Sequence, residues 1–233
     1  MTWHLGDLLA FDVESTGVNT STDRIITISL VQANATQRTS ATDHWVLNPG
    51  IPIPQEAAAI HGYTTERVEA EGEDPAPILA HVADQLTQHL NAGLPVVAYN
   101  ARYDCTLLNW ELARHNLAAV PFHLGPIVDP FVIDKHVDQY RRGKRTLTAA
   151  CDHYQVTLAD AHDAAADAIA AARLAWRLGN LPDIQALTLG ELHTAQTVWA
   201  REQAESLRDY FVSSGKMTRE EADTDVETGW PTT

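Results

Sequence analysis

The stretch LLAFDVESTG (Leu8–Gly17) runs apolar as far as Phe11, then places Asp12, Val13 and Glu14 before it breaks at Gly17. Side chains alternate between the two faces of a strand. Asp12 and Glu14 therefore point the same way, and Val13 points into the core. Neighbouring carboxylates raise each other's pKa unless a cation offsets them. Two readings follow: the strand has surfaced and its acids are solvated, or a divalent cation with oxygen ligands sits beside them.

Working outward, RIITISLVQA and ATDHWVLNP read as two further strands. Short polar connections between neighbouring strands suggest an antiparallel meander. The character then changes. PAPILAHVADQLTQHLNAG carries Leu79, Val82, Leu86 and Leu90 at helical spacing and ends at Gly93. LPVVAYN and GPIVDP read as short strands, and RYDCTLLNWELARHN, TLTAACDHYQV and the alanine-rich DAAADAIAAARLAWRLG as helices. Strands alternating with helices imply parallel crossovers. The pattern predicts an α/β fold with a mixed five-stranded sheet, three strands antiparallel and then two parallel, flanked by helices. After LPDIQ a long helical period through Leu189, Leu192, Trp199, Leu207 and Phe211 adds a C-terminal helical extension. The expected units are residues 1–180, an extension over 181–216, and an acidic, loose tail over 217–233 in which Trp230 is a candidate anchor.

With 233 residues and 45% of them hydrophobic, the chain can bury a full core without disulfide staples. The only cysteines, Cys105 and Cys151, make neither a disulfide framework nor a zinc site, so a reducing cytoplasm is the expected location. No apolar run approaches the roughly 20 residues of a membrane span, and MTWHLGDLLAF lacks the basic lead of a secretory signal. The net charge of −15 argues against a passive nucleic-acid binder. It leaves room for an enzyme whose acidic site is neutralised by metal ions. Arg141, Arg142, Lys144 and Arg145 are packed into QYRRGKR. The run is a candidate phosphate-tracking patch, or simply a solvated face.

Two more acidic places matter. In VVAYNARYDCTLL a strand ends at Tyr99 and a helix starts near Ala101, placing Asp104 in the first turn. In AHDAAADAIAAARL, Asp163 is a plausible N-cap, with His162 just outside and Asp167 about one turn on. Asp163 and Asp167 are four apart and share a helical face, so geometry alone leaves open which one would bind metal. Each place taken singly has an ordinary structural reading: a surfaced strand, a favourable first-turn acid and a capped helix.

Together they form a known pattern. Asp12-Val13-Glu14-Ser15-Thr16-Gly17, Asn100 with Asp104, and His162 with Asp167, in that order, resemble the three motifs of the DEDDh-type 3′–5′ exonucleases, which include the proofreading epsilon subunit of bacterial DNA polymerase III. AIHGYT, up to Thr64, and PIVDP resemble two shorter family segments. The likeness covers about residues 7 to 178. Tyr99, Tyr103, Ser15 and Pro130 depart from the usual residues, and none of these departures removes a site residue.

The resemblance implies a ribonuclease H-like fold and a two-metal phosphodiester hydrolase using Mg²⁺ or Mn²⁺. Asp12, Glu14, Asp104 and Asp167 would hold metal, with Asp163 left as the cap, and His162 would be the general base. Its ordinary pKa of about 6.5 suits that role. Thr16, His61 and Asn100 are candidates for binding the terminal nucleotide or orienting the motif that does. DNA is the expected partner ahead of RNA. An oligoribonuclease-like enzyme with the same site and a non-catalytic nucleic-acid or polymerase-associated module are the alternatives. An aspartyl phosphatase would want a second Asp where Glu14 stands. QALTL (Gln185–Leu189) faintly resembles a sliding-clamp-binding peptide, although a helix start explains it better. A DNA polymerase or clamp thus stands as a possible partner.

Overall fold

The computed structural model describes residues 3–35, 39–158 and 163–233. A 3₁₀ turn at Trp3–Leu5 leads into β1 (Asp7–Ser15), which pairs antiparallel with β2 (Ile25–Asn34), itself antiparallel to β3 (Thr39–Val46). Two short helices, α1 (Gln55–His61) and α2 (Thr65–Glu71), precede α3 (Pro75–Asn91). Then β4 (Val96–Val97), α4 (Ala101–Arg114), β5 (Ile127–Val128) and α5 (Pro130–Val137) follow, and after them α6 (Leu147–Tyr154) and α7 (Ala164–Gly179). The chain ends through α8 (Pro182–Gln185), α9 (Leu189–Ser213) and α10 (Arg219–Asp225). The sheet order is β3-β2-β1-β4-β5, with β4 parallel to both β1 and β5. This is the mixed five-stranded, ribonuclease H-like arrangement that the sequence predicts.

The period-two pattern of β1 decides what each face meets. Leu9, Phe11 and Val13 join the cluster packed under α3 and α4. Leu8 and Ala10 face the other way, against Ala168, Ala171, Ala172, Ala175 and Leu178 of α7. Alanines present almost no side chain, so α7 lies close on the sheet. Asp12 and Glu14 continue the Leu8–Ala10 row toward the start of α7. Asp167 continues the row of Ala171 and Ala175, four residues apart on one helical face. Packing of small residues thus brings the strand's acids to the helix's acid.

Short elements are where sequence and structure part. α1, α2, α5 and α10 have no strong apolar period, being eight residues or fewer, and capping defines them instead. Thr64 caps α2, Asp129 caps α5 with Pro130 behind it, and Thr218 with Glu221 forms a capping box on α10. The tail expected to be loose is therefore partly helical. Beyond α10, Trp230 is buried in the main core cluster, and the Thr233 amide donates to Thr106 Oγ1 at 3.2 Å. An apolar indole with a polar partner inside outweighs an acidic, apolar-poor composition.

In the extension, Leu192 is fully buried, while Leu207 remains 40% exposed. Gln185 ends α8 and Leu189 opens α9, and both Leu187 and Leu189 pack on the core cluster beneath α7. This is the helix-start arrangement. Among the described residues no helix is long and apolar enough to cross a membrane.

Candidate active site

β1 and β4 pair only at Leu9–Val96 and Ala10–Val97. Past Ala10, the edge of β1 that β4 had covered is open, and a buried N–H there needs a partner. Asp104, in the first turn of α4, supplies it: Oδ1 accepts from the Val13 amide at 3.2 Å. Val13 therefore does two things. Its side chain enters the core, and its amide ties the carboxylate of α4 to the strand between Asp12 and Glu14.

Asp12, Glu14 and Asp167 each present an oxygen, all within 4.8 Å of one another. Asp163 turns away to cap α7, accepting from the Ala166 amide at 2.9 Å. The structure thus separates the two helix acids that spacing leaves equivalent. Asp104 is only 4% exposed. It lies close enough to Asp12 for its charge to be the largest neighbouring contribution to that residue's raised pKa.

The electrostatics follow from this crowding. Burial first, then Asp104, Asp167, Glu14 and Asp163, push the Asp12 carboxyl well above the usual range. Burial also raises Asp104, opposed by the Val13 amide and its own. Burial, Asp167 and Asp163 push Glu14 up to about 8. Such a site holds protons until a cation replaces them. Three hard oxygen donors in reach of one another suit Mg²⁺ or Mn²⁺.

The remaining expected residues are placed as follows. His162 lies outside the described residues. Thr16 is buried, and its hydroxyl donates to Asp23 Oδ1 at 2.8 Å while accepting from the Arg24 amide at 3.0 Å. That hydroxyl is engaged in the β1–β2 turn. In the same turn a Cβ at Gly17 would meet the Asp23 carboxylate at 2.7 Å. His61 ends α1 and is buried, and its Nδ1 accepts from the Tyr63 amide at 3.2 Å. The left-handed Gly62, φ 78°, makes that reversal. The Tyr63 hydroxyl lies 3.4 Å from His44 Nε2, and Arg67 rests over its ring, 4.2 Å from the centroid.

Asn100 sits at φ 65° and makes no side-chain cap. Its amide and that of Ala101 donate to the two oxygens of Asp129, both at 2.9 Å. The basic run divides. Arg141 and Arg145 bind the fully buried Asp134 at 2.5 and 2.9 Å, so half of the expected phosphate patch is a structural ion-pair cluster, and Arg142 and Lys144 are its exposed members.

Two features escape motif reading. The Ser15 and Tyr103 hydroxyls lie 2.5 Å apart and reach the Gly17 carbonyl at 2.7 and 2.5 Å. Two of the departures from the family pattern are thus in contact and lock the β1 turn to α4. Asp129 also accepts from Phe131 N at 2.9 Å and Trp230 Nε1 at 3.3 Å, while its own amide donates to Gln196 Oε1 at 2.7 Å. Asp129, just past β5, therefore joins the chain end to the turn that precedes Asp104 through its carboxylate, and α9 through its amide. PIVDP marks Asp129 in sequence, but nothing there reveals its partners.

With this geometry in hand, the comparisons are specific. A family model described as exonuclease, RNase_T, matches residues 9–175. The chain belongs to that exonuclease family. DNA polymerase III PolC-type of Streptococcus agalactiae is 29% identical over 176 residues, 75% of this chain and 11% of the relative. DNA polymerase III subunit epsilon of Buchnera aphidicola is 26% identical over 153 residues, 64% of this chain and 61% of the relative. E. coli exonuclease I, solved with a dT13 oligonucleotide, superposes with a TM-score of 0.63 at 18% identity, over 75% of this chain and 41% of that one. The chain spans only a small part of the PolC relatives, and residues past 175 lie outside the family match.

Two expected outcomes follow from the site. The folded state holds a proton on Glu14 up to about pH 8 that the unfolded chain releases near the ordinary carboxylate pKa of about 4.3. The stability from this group is complete below the lower value and is lost as pH rises through the higher one. Metal-free protein in chelator should therefore melt at a lower temperature at about pH 8.5 than at about pH 6, and Mg²⁺ should raise the melting temperature more at the higher pH. Scanning calorimetry checks this, and a metal-free protein more stable at the alkaline pH contradicts it. Separately, Asp129→Asn should cost about 2–3 kcal/mol in urea unfolding, and Trp230→Phe about 1 kcal/mol. Equal, negligible losses would show that the Asp129 cluster holds nothing together.

Proposed function

We propose that the protein is a metal-dependent 3′–5′ exonuclease that hydrolyses single-stranded or frayed DNA ends and releases nucleoside 5′-monophosphates. The observation that carries this reading is the convergence of Asp12, Glu14 and Asp167 within 4.8 Å, with Asp104 tethered alongside by the Val13 amide. Two divalent ions held there would supply charge neutralisation and activate water for attack on a phosphodiester.

The chain's own residues do the rest. Asp12, Glu14 and Asp167 would hold metal, with Asp104 in support beside them. His162, two residues before the first residue of α7, would take the proton of the attacking water. The His61–Gly62–Tyr63 reversal would seat the terminal nucleotide, together with the Thr16–Gly17 backbone. Asn100 contributes through its left-handed backbone, which starts α4 at the point that aims Asp104. The names of the PolC and epsilon relatives make a DNA polymerase the natural partner class.

The test runs 5′-labelled DNA and RNA oligonucleotides side by side with Mg²⁺ or Mn²⁺. Stepwise shortening of DNA is expected. It should be abolished by EDTA and by Asp12→Ala, lost in His162→Ala with metal binding retained, and lost in Asp167→Asn but not in Asp163→Asn. Preferential shortening of RNA would move the assignment to the exoribonuclease reading. Metal-replete protein that leaves both ends intact would contradict the enzyme assignment.

A further inference from the structure

A groove of about 570 Å³ lies between α5 and α9, a volume typical of ligand sites. Lys135, His136 and Arg145 line one wall, and Trp199, Gln203 and Tyr210 of α9 line the other, with Glu202 as the acid among them. One wall thus comes from the extension outside the family match.

Lys135 sets the groove's character. Arg145 beside it is engaged by Asp134, a carboxylate it shares with Arg141. Among the described residues Lys135 has no carboxylate within ion-pair reach. Its ammonium rests over the Phe131 ring, 4.9 Å from the centroid. Burial, then Arg145 and Arg102, lower its pKa, opposed by the more weakly acting Asp129 and Asp134. In a chain of net charge −15, an unpaired, half-buried cation facing a cavity is a position that an anion would stabilise. The groove also offers flat aromatic surface. His136 stacks on Trp199 with centroids 3.7 Å apart and planes 11° apart, and Tyr210 is 52% exposed. Nucleobases stack on such rings without regard to sequence.

Two residues near the start of α4 link the groove to the segment that carries Asp104. Arg102, whose charge acts on Lys135, stands two residues before Asp104 in the first turn of α4. The Phe131 ring beneath Lys135 meets Tyr99 edge-on at 5.7 Å, and Tyr99 precedes Asn100.

We propose that the α5–α9 groove binds single-stranded nucleic acid upstream of the nucleotide at the carboxylate site, with Lys135 contacting a backbone phosphate and the His136–Trp199 and Tyr210 rings receiving bases. This rests on the nuclease reading and adds a subsite that the extension builds. Fluorescence anisotropy on the full chain, with Ca²⁺ present and salt varied, compares labelled oligothymidylates of about four and about sixteen nucleotides. Lys135→Gln should weaken the long strand about five-fold and reduce its salt slope by about one, leaving the short strand unchanged. Lys135→Arg should restore both. Unchanged affinity and slope for the long strand, or an equal loss on both lengths, overturns the proposal. So does Lys135-dependent binding of a polyglutamate peptide with no effect on the oligonucleotides, which would give the groove to an acidic protein partner. Hydrolysis of the p-nitrophenyl ester of thymidine 5′-monophosphate with Mn²⁺ needs only the carboxylate site. Its absence would count against the nuclease reading, while the strand-binding comparison still decides the groove.

Discussion

Repulsion among Asp12, Glu14 and Asp167, held within 4.8 Å of one another, is the constraint around which the rest of the structure is arranged. Carboxylates this close and this poorly solvated would drift apart or stay protonated on a flexible scaffold. Here each is fixed by something that cannot relax. Asp12 and Glu14 belong to a strand paired to β2 through its whole length. Asp167 belongs to a helix pressed onto that strand by a row of alanines. The folded protein accepts an electrostatic cost, and under the proposed function a divalent cation would convert that cost into binding.

Asp104 shows how backbone satisfaction and site geometry become one requirement. The Val13 amide must find an acceptor where β4 stops, and the acceptor it finds is a site carboxylate. Behind Asp104, the αL residue Asn100 and the Asp129 carboxylate fix the start of α4. Trp230 donates to the same carboxylate, and Gln196 of α9 accepts from the backbone amide of Asp129. Residues beyond the family match therefore support the second motif from behind.

Much of this is legible in sequence because periodicity and spacing encode it. The alternation in LLAFDVESTG places both acids on one face, and the alanine-rich run gives the helix that meets them. What is not legible depends on contacts between distant segments. Spacing alone leaves Asp163 and Asp167 equivalent; the family resemblance leaves Asp163 as the cap, and the structure has it accept from the Ala166 amide. Four clustered basic residues read as a surface patch until Asp134, fully buried, is seen to claim Arg141 and Arg145. The composition of the last residues reads as loose because one buried indole weighs little in an average. Ser15 and Tyr103 look like independent departures from the family pattern, and only the fold reveals that their hydroxyls touch.

The central claim is that the clustered acids hold protons in exchange for divalent metal. Isothermal titration of Mn²⁺ near neutral pH, repeated in two buffers of different ionisation enthalpy, measures that exchange directly. The account predicts binding accompanied by release of about one proton or more, because Glu14 titrates at about 8 and Asp12 above its ordinary range, with both binding and release lost in Asp12→Asn. Mn²⁺ binding that releases no protons, or that persists unchanged in Asp12→Asn, would contradict it.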